Sequence, residues 1–256
     1  TETSGYEISL AVSRKSGVRI MDKKELYQYV GSMQQMVYIR KVTCEEGRST
    51  GLRMFDVKNE CLQYQVMCDK CLDVAGFSYK GINMNFLSKP GLQGRNHYDT
   101  NGQEALRSIM GGLFFTAGME NICAPYKNET GEYPMHGRIR TTPAGEVSSS
   151  QEWTKDGLVL KVSGTMREAE LFGENMVLRR SIESVAGSKS IKVIDEIENE
   201  AYRDEPLMLL YHINLGYPFL TPAMKFYIPT KKVTPRDEAS KGHEDRYDRM
   251  DKPKKN

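Results

Sequence analysis

Apolar and polar residues alternate with a period of two along much of the chain, as in strands that bury one face. Val-Leu-Lys-Val-Ser-Gly at 159–164 and Ile-Lys-Val-Ile-Asp at 191–195 are clear examples. Predicted strands cover residues 37–42, 52–57, 61–67, 74–79, 158–164, 176–184 and 190–198. Turn-forming Gly, Pro, Asn and Asp separate them, with no βαβ rhythm and no internal repeat. The pattern therefore predicts a mainly β, antiparallel sandwich or barrel.

Two stretches depart from this pattern. Residues 22–33 place apolar side chains at helical spacing and predict a short helix. Residues 234–256 are dominated by charged residues and predict a solvated loop or tail. We therefore divide the chain into an N-terminal extension with a short helix (1–36), a β-sandwich domain (37–236) and a charged loop or tail (237–256).

Composition excludes several classes of function. The chain has 256 residues, a formal net charge of +2 and no long basic block, so we expect no nucleic-acid partner. No apolar run approaches the roughly 20 residues of a membrane helix, so we expect no membrane partner. Five cysteines, an odd number, without a visible secretory signal favour a reducing compartment, and we expect a cytoplasmic protein. The oligomeric state stays open.

Two histidine segments carry the candidate chemistry. His136 lies in His-Gly-Arg-Ile-Arg, beside two guanidinium groups suited to hydroxyls and carboxylates. His212 and Asn214 lie two residues apart in a predicted strand and therefore share a face, while Tyr211 points to the core. A histidine in an apolar strand is also compatible with a purely structural role, so residue spacing alone leaves both interpretations open.

Three other features favour structural roles. Cys68 and Cys71 form a CxxC without the second ligand pair that a zinc site needs. The Gly111-Gly112 pair fits no phosphate-binding motif and indicates close backbone packing or a bulge beside a cleft. Glu168, Glu170 and Glu174 form a local acidic cluster that we expect to be solvated.

Several segments, taken together and in order, carry a family resemblance. They are Asp69-Lys-Cys-Leu-Asp-Val, Tyr79-Lys-Gly-Ile, Gly111-Gly-Leu, His136-Gly-Arg-Ile with Pro143-Ala, Leu171-Phe-Gly-Glu, Asp195 with Asn199, and Leu210-Tyr-His-Ile-Asn-Leu-Gly-Tyr-Pro. The chain resembles the uncharacterised bacterial aldose 1-epimerase-like proteins of the galactose mutarotase superfamily. The resemblance covers about residues 50–236, and the two histidine segments are its most specific part.

This resemblance implies an antiparallel, galactose-mutarotase-like β-supersandwich that binds a small-molecule sugar in a cleft. In such enzymes a histidine protonates the ring oxygen as general acid and a glutamate deprotonates the anomeric hydroxyl, so that the ring opens and recloses. By motif, His212 is the candidate acid and His136 the second catalytic histidine. Arg138, Asn214 and Tyr217 are the candidate sugar-binding residues. No metal or organic cofactor is needed for this chemistry.

Two departures from the family pattern matter. Lys70 stands where the family has an arginine and lacks the planar guanidinium fork. No late apolar strand carries a glutamate, so we expect the sandwich to lack its C-terminal strands, and the general base has no residue in this sequence. Three functions stay open: an aldose 1-epimerase-like isomerase, a non-catalytic carbohydrate-binding or sensing module, and a structural β domain with satisfied histidines.

Overall fold

The computed structural model describes residues 5–9, 23–94, 102–129 and 131–253, and these contain one short α-helix, α1 (Lys23–Leu26), and sixteen strands. In chain order the strands are β1 (Gly5–Ser9), β2 (Val37–Thr43), β3 (Arg53–Asn59), β4 (Leu62–Met67), β5 (Val74–Tyr79), β6 (Ile82–Asn83), β7 (Phe86–Leu87), β8 (Gly111–Gly112), β9 (Phe114–Met119), β10 (Tyr126–Lys127), β11 (Glu132–Tyr133), β12 (Gly145–Thr154), β13 (Gly157–Ala169), β14 (Asn175–Val185), β15 (Lys192–Asn199) and β16 (Met208–Ile213). All seven strands predicted from the alternation are present.

Two large antiparallel sheets form the body of the molecule. One has the strand order β1-β15-β14-β13-β12, and the other β16-β9-β5-β4-β3-β2, with β6 paired to the free part of β5. Two small hairpin-like pairs, β7–β8 and β10–β11, complete the described sheets. The predicted mainly β, antiparallel sandwich is confirmed.

The core lies between the two large sheets. Alternate residues of β13 are buried along almost its whole length, as expected for a strand with one face on the core. The buried cluster takes side chains from both sheets, among them Val57, Tyr64, Val66, Leu160, Leu178 and Ile182. The Tyr64 hydroxyl, fully buried, lies 2.9 Å from the Ser184 hydroxyl of the opposite sheet and is thereby hydrogen-bonded.

A buried ionic network also joins the sheets. Arg180 of β14 donates two hydrogen bonds to Asp195 (2.8 and 2.7 Å) and one to Asp73 (2.7 Å). Thr116 of β9 donates its hydroxyl to Asp73 (2.6 Å), and Tyr211 of β16 donates to Asp195 (2.5 Å). All of the Arg180 nitrogens that face these acids are paired, so the charges are buried without being orphaned.

The predicted helix at 22–33 is shorter in the structure. Residue 22 lies outside the described residues, and the α-helix ends at Leu26. A separate 3₁₀ turn, Met33–Gln35, follows, with the Ser32 hydroxyl accepting from the Gln34 amide at 3.3 Å. After Leu26 the amides of Gln28 and Tyr29 bond to carbonyls three residues back, as in a tight turn, and Ser32 then caps the new 3₁₀ turn.

After β16 the described chain contains no further strand of two or more residues up to residue 253. Two 3₁₀ turns, Glu238–Ser240 and Glu244–Arg246, lie in the charged segment, and a single bridge joins Lys225 to Arg249. Most side chains here are exposed, in agreement with their polarity. None of the helices in the described ranges is long and apolar enough to cross a bilayer.

Candidate functional site

His212 lies on β16, at one edge of the larger sheet. The register of the ladder places it directly opposite Phe115 of β9. The two rings are stacked, with centroids 4.6 Å apart and planes inclined by 12°. His212 is exposed while Phe115 is largely buried, so the imidazole is accessible and is supported from below by the phenyl ring.

His136 comes from the turn after β11 and is held by its backbone. It has a left-handed φ of 62°; its amide donates to Cys123 (2.9 Å), and its carbonyl accepts from Gly118 (3.1 Å). Its Nδ1 lies 3.0 Å from the Ile122 carbonyl oxygen, which can only accept. Nδ1 therefore carries the proton in the neutral ring, and Nε2 keeps a lone pair.

The two imidazoles predicted from separate segments come together in the structure. Their ring centroids are 5.9 Å apart, with planes at 73°, and Phe115 contacts the His136 ring edge-on at 5.4 Å. Burial lowers the pKa of His136, and the nearby His212 and Arg140 lower it further. His136 is consequently a neutral imidazole at pH 7.

The three predicted sugar-binding residues are placed less favourably. Arg138 is engaged by the Glu120 carboxylate and by the Glu132 carbonyl (2.9 Å). Asn214 donates to the His212 carbonyl at 3.0 Å, which keeps its amide beside the imidazole pair. The Tyr217 side chain is 79% exposed, while its carbonyl accepts from Asn83 at 2.7 Å. Asn214 is thus the one of the three that stays adjacent to His212 without a charged partner.

A cavity lies against Phe115, and its lining includes groups that sequence reasoning did not assign to the site. Its polar lining is Lys70, Asp73, Ser108 and Arg140. Lys70 and Arg140 are only 7% and 6% exposed. Burial lowers the pKa of Lys70 to about 8 and that of Arg140 to about 10, and Arg140 contributes to the shift of Lys70.

Phe115 itself was missed because its segment was interpreted through its glycines. The close packing predicted for Gly111 and Gly112 is present, since a Cβ would lie 2.7 Å from the Phe86 carbonyl oxygen and 2.8 Å from that of Val74, respectively. The apolar run that follows these glycines was the signal for a strand, but nothing in the sequence indicated that His212 would pair with it.

The prediction that the acidic cluster is solvated was wrong for two of its three members. Glu168 and Glu174 are buried, at 3% and 8% exposure. Glu168 accepts from the Met119 amide at 3.4 Å through Oε1, and Oε2 has no hydrogen-bond partner among the residues that the structure describes. Burial raises the pKa of Glu168 to about 8, with a further contribution from nearby Glu120, so this side chain is a neutral acid at pH 7.

The cysteines of the CxxC segment are packed in the core. Cys68 and Cys71 are both fully buried, and burial raises the pKa of each thiol. Within the ranges that the structure describes, no three His, Cys, Asp or Glu side chains come together in an arrangement that could hold a metal ion.

The molecule has the antiparallel β-sandwich of aldose 1-epimerase-like proteins, and it is similar to the crystal structure of a putative aldose 1-epimerase from Klebsiella pneumoniae, with a TM-score of 0.70. The two sequences are 16% identical, and the similarity covers 88% of this chain and 59% of that chain. At this identity the likeness shows the fold alone.

The chain belongs to the family described as "Domain of unknown function (DUF4432)", whose family model matches residues 49–256. No curated protein matches the sequence. The chain therefore shares a fold with a protein named for aldose epimerisation, and the chemistry has to be argued from its own residues.

Proposed function

We propose that this chain is an aldose 1-epimerase-like protein that binds a sugar and interconverts its anomers by acid–base opening and closure of the ring. The observation that supports it best is the imidazole pair, His136 and His212, 5.9 Å apart at the sheet edge. A pyranose ring presents its ring oxygen and its anomeric hydroxyl on neighbouring atoms, so two proton-handling groups this close can serve both.

The two rings have different roles in this proposal. His212, exposed and supported by Phe115, gives a proton to the ring oxygen as the bond from that oxygen to C1 breaks. A base takes the proton of the anomeric hydroxyl, whose oxygen becomes the aldehyde oxygen. The Nε2 lone pair of neutral His136 is suited to that step, because its Nδ1 proton is already engaged by Ile122.

The reverse reaction closes the ring on either face. After rotation about the C1–C2 bond, His136 returns its proton to the aldehyde oxygen and His212 recovers its own from the attacking hydroxyl. Both histidines therefore return to their starting protonation states at the end of each cycle, and no redox step occurs. Imidazoles suit this duty because they exchange protons near neutral pH.

A test is anomer exchange measured by NMR over a panel of free aldoses. Exchange should accelerate in proportion to protein concentration, and His212→Gln and His136→Gln should each lower that rate at least tenfold. His243→Gln is the matched control, because His243 is exposed in the charged C-terminal segment and should leave the rate unchanged.

The second candidate is a non-catalytic sugar-binding module. It is favoured by one observation: β16 is the last strand of the described residues, so these residues supply no late-strand glutamate to act as general base. If a sugar binds saturably but its anomers exchange no faster than in buffer, the result supports the non-catalytic module and contradicts the enzyme. If no aldose binds and none shows faster anomer exchange, the proposed function has no support.

A further inference from the structure

Two buried, positively charged side chains line the cavity beside Phe115. Lys70 and Arg140 both line it, and Arg140 Nε donates to the Met135 carbonyl at 3.3 Å. Arg140 Nη2 is buried and has no hydrogen-bond partner in the described part of the chain. A buried guanidinium nitrogen without an acceptor is costly, so the arrangement calls for an explanation.

The neighbouring carboxylates are engaged elsewhere. Asp69 is bonded to the Arg53 guanidinium and amide, and Asp73 accepts from Arg180 and from Thr116. Asp69, Asp73 and Asp195 together supply three negative charges. The positive side chains around them are four: Arg53, Arg180, Lys70 and Arg140. Among the residues that the structure describes, one positive charge at the cavity is therefore left without a counter-charge, and Arg140, with its unpaired nitrogen, is the group that lacks it.

The cavity is small, and it shares Phe115 with the imidazole pair. About 20 Å³ of it is open to the centre of a water-sized group, slightly above the minimum that one water needs. This space fits one small polar group and not a sugar ring. Phe115 is a wall of the cavity and also contacts His136 and His212, so a sugar at the imidazoles can extend a substituent into it.

We propose that this cavity receives the carboxylate of an acidic aldose, held by Arg140 and Lys70 while the ring lies at His136 and His212. The inference rests on the proposed function, because it names the substrate class of the same site. A carboxylate supplies the acceptor that Nη2 lacks and the missing negative charge, and charge-assisted bonds of this kind are the strong ones. A carboxylate is also smaller than a phosphate, and the cavity has room for a small group only.

The experiment compares the affinity of the full chain for hexuronates, for the corresponding neutral hexoses and for hexose 6-phosphates by calorimetry. We expect a hexuronate to bind at least tenfold more tightly than its neutral hexose. Arg140→Met should abolish this preference without changing the affinity for the neutral sugar, and Arg140→Lys should restore part of it. Lys155→Met, in an exposed turn, is the control and should change nothing.

Folding of the variants is not expected to obscure the result. Arg140→Met removes a buried nitrogen that has no acceptor among the described residues, and such atoms are costly, so the variant should remain folded. Lys70→Met provides a second variant with the same expected loss of hexuronate preference. Amine labelling of Lys70 near pH 8, read by mass spectrometry, gives a separate measurement, and a bound hexuronate should slow it.

The outcomes separate this inference from the proposed function. Neutral hexoses that bind and exchange anomers as well as hexuronates do would overturn the carboxylate site and leave the epimerase intact. Hexuronate binding that depends on Arg140, without faster anomer exchange, would support the site and remove the catalytic role. A preference for hexose 6-phosphates, lost in Arg140→Met, would overturn the carboxylate assignment.

Discussion

Phe115 and His212 face each other across the β9–β16 ladder with their rings stacked 4.6 Å apart. The next pair in the ladder, Thr116 and Tyr211, points to the opposite side of the sheet. Their hydroxyls donate to Asp73 and Asp195, the two carboxylates that bind Arg180. One pair of strands thus carries the imidazole site on one face and part of the buried ionic network on the other. The geometry of the site therefore depends on the core beneath it.

Removing the centre of that network should be strongly destabilising. Arg180→Met leaves Asp73 and Asp195 buried without their counter-charge, and we expect a loss of about 3–5 kcal/mol in the free energy of unfolding. Urea denaturation measures it. The control is Arg179→Met, because Arg179 immediately precedes Arg180 but lies on the exposed face of β14, where it pairs with Glu198 and Glu200.

Exposed pairs of this kind contribute about 0–1 kcal/mol, so Arg179→Met should behave almost as the unmodified chain. Equal losses in the two variants would contradict the central role of Arg180.

The strands themselves could be predicted because one face of each is buried and the alternation shows it. Predicted strands at 74–79 and 158–164 correspond to β5 and β13 in the structure. The buried network could not be predicted from the sequence. Asp73, just before β5, and Arg180 of β14 are 107 residues apart, and no local pattern indicates that two such distant charged residues will meet in the core.

Gly137 should be required for the position of His136. Its φ is +72°, and a Cβ would overlap the Gly118 carbonyl oxygen and lie 2.7 Å from that of Asn121. Gly137→Ala must therefore displace backbone, and we expect a loss of at least about 2 kcal/mol together with loss of anomer exchange.

Gly31→Ala is the matched control for that change. Nothing lies within 4 Å of a Cβ at Gly31, so this variant should unfold at nearly the same urea concentration as the unmodified chain. A stable Gly137→Ala protein with full activity would show that the His136 turn tolerates another backbone conformation.

The protonation of His136 gives a pH prediction. Its folded pKa is lowered, so the unfolded chain binds the proton more readily than the folded protein does. The contribution of His136 to stability is therefore complete above the ordinary pKa of 6.5 and is lost as the pH falls from that value through the lower folded pKa.

NMR titration of the ring protons, assigned with His136→Gln, should give a midpoint below 6.5 for His136. A midpoint above that value would mean that the ring is charged near neutrality, and it would remove the lone pair that the proposed base requires.

Glu168 should produce the opposite dependence. Its pKa, about 8 in the folded protein against an ordinary 4.5, means that the folded protein keeps a proton which the unfolded chain has lost between these pH values. The corresponding stability is complete below about pH 4.5 and is lost as the pH rises through about 8.

Glu168→Gln removes this titration, so the variant should gain stability relative to the unmodified chain as the pH rises from 5 to 8.5, by about 1.4 kcal/mol per unit of pKa shift removed. Denaturation across that range measures the difference, with Glu170→Gln, an exposed neighbour, as control. Stability curves that stay parallel would show that Glu168 is ionised throughout.

For the candidate site, the sequence predicted the histidines but not their surroundings. His136 and His212 were recognisable because each lies in a specific segment, and their proximity followed from the resemblance and not from spacing. Arg138 was expected to face a sugar, yet it lies beside Glu120, because an exposed guanidinium takes the nearest carboxylate. Such pairings depend on loop geometry that residue patterns do not encode.

The larger sheet is almost interrupted in its middle. Backbone pairing between β5 and β9 is confined to one residue pair, Val74 with Phe114. Two residues further along β9, the amide of Thr116 donates to the carboxylate of Asp73 (2.9 Å) instead of to a strand carbonyl. A side-chain carboxylate therefore takes the place of a strand carbonyl where β5 and β9 meet, and a change at Asp73 would leave the buried Thr116 amide without this acceptor.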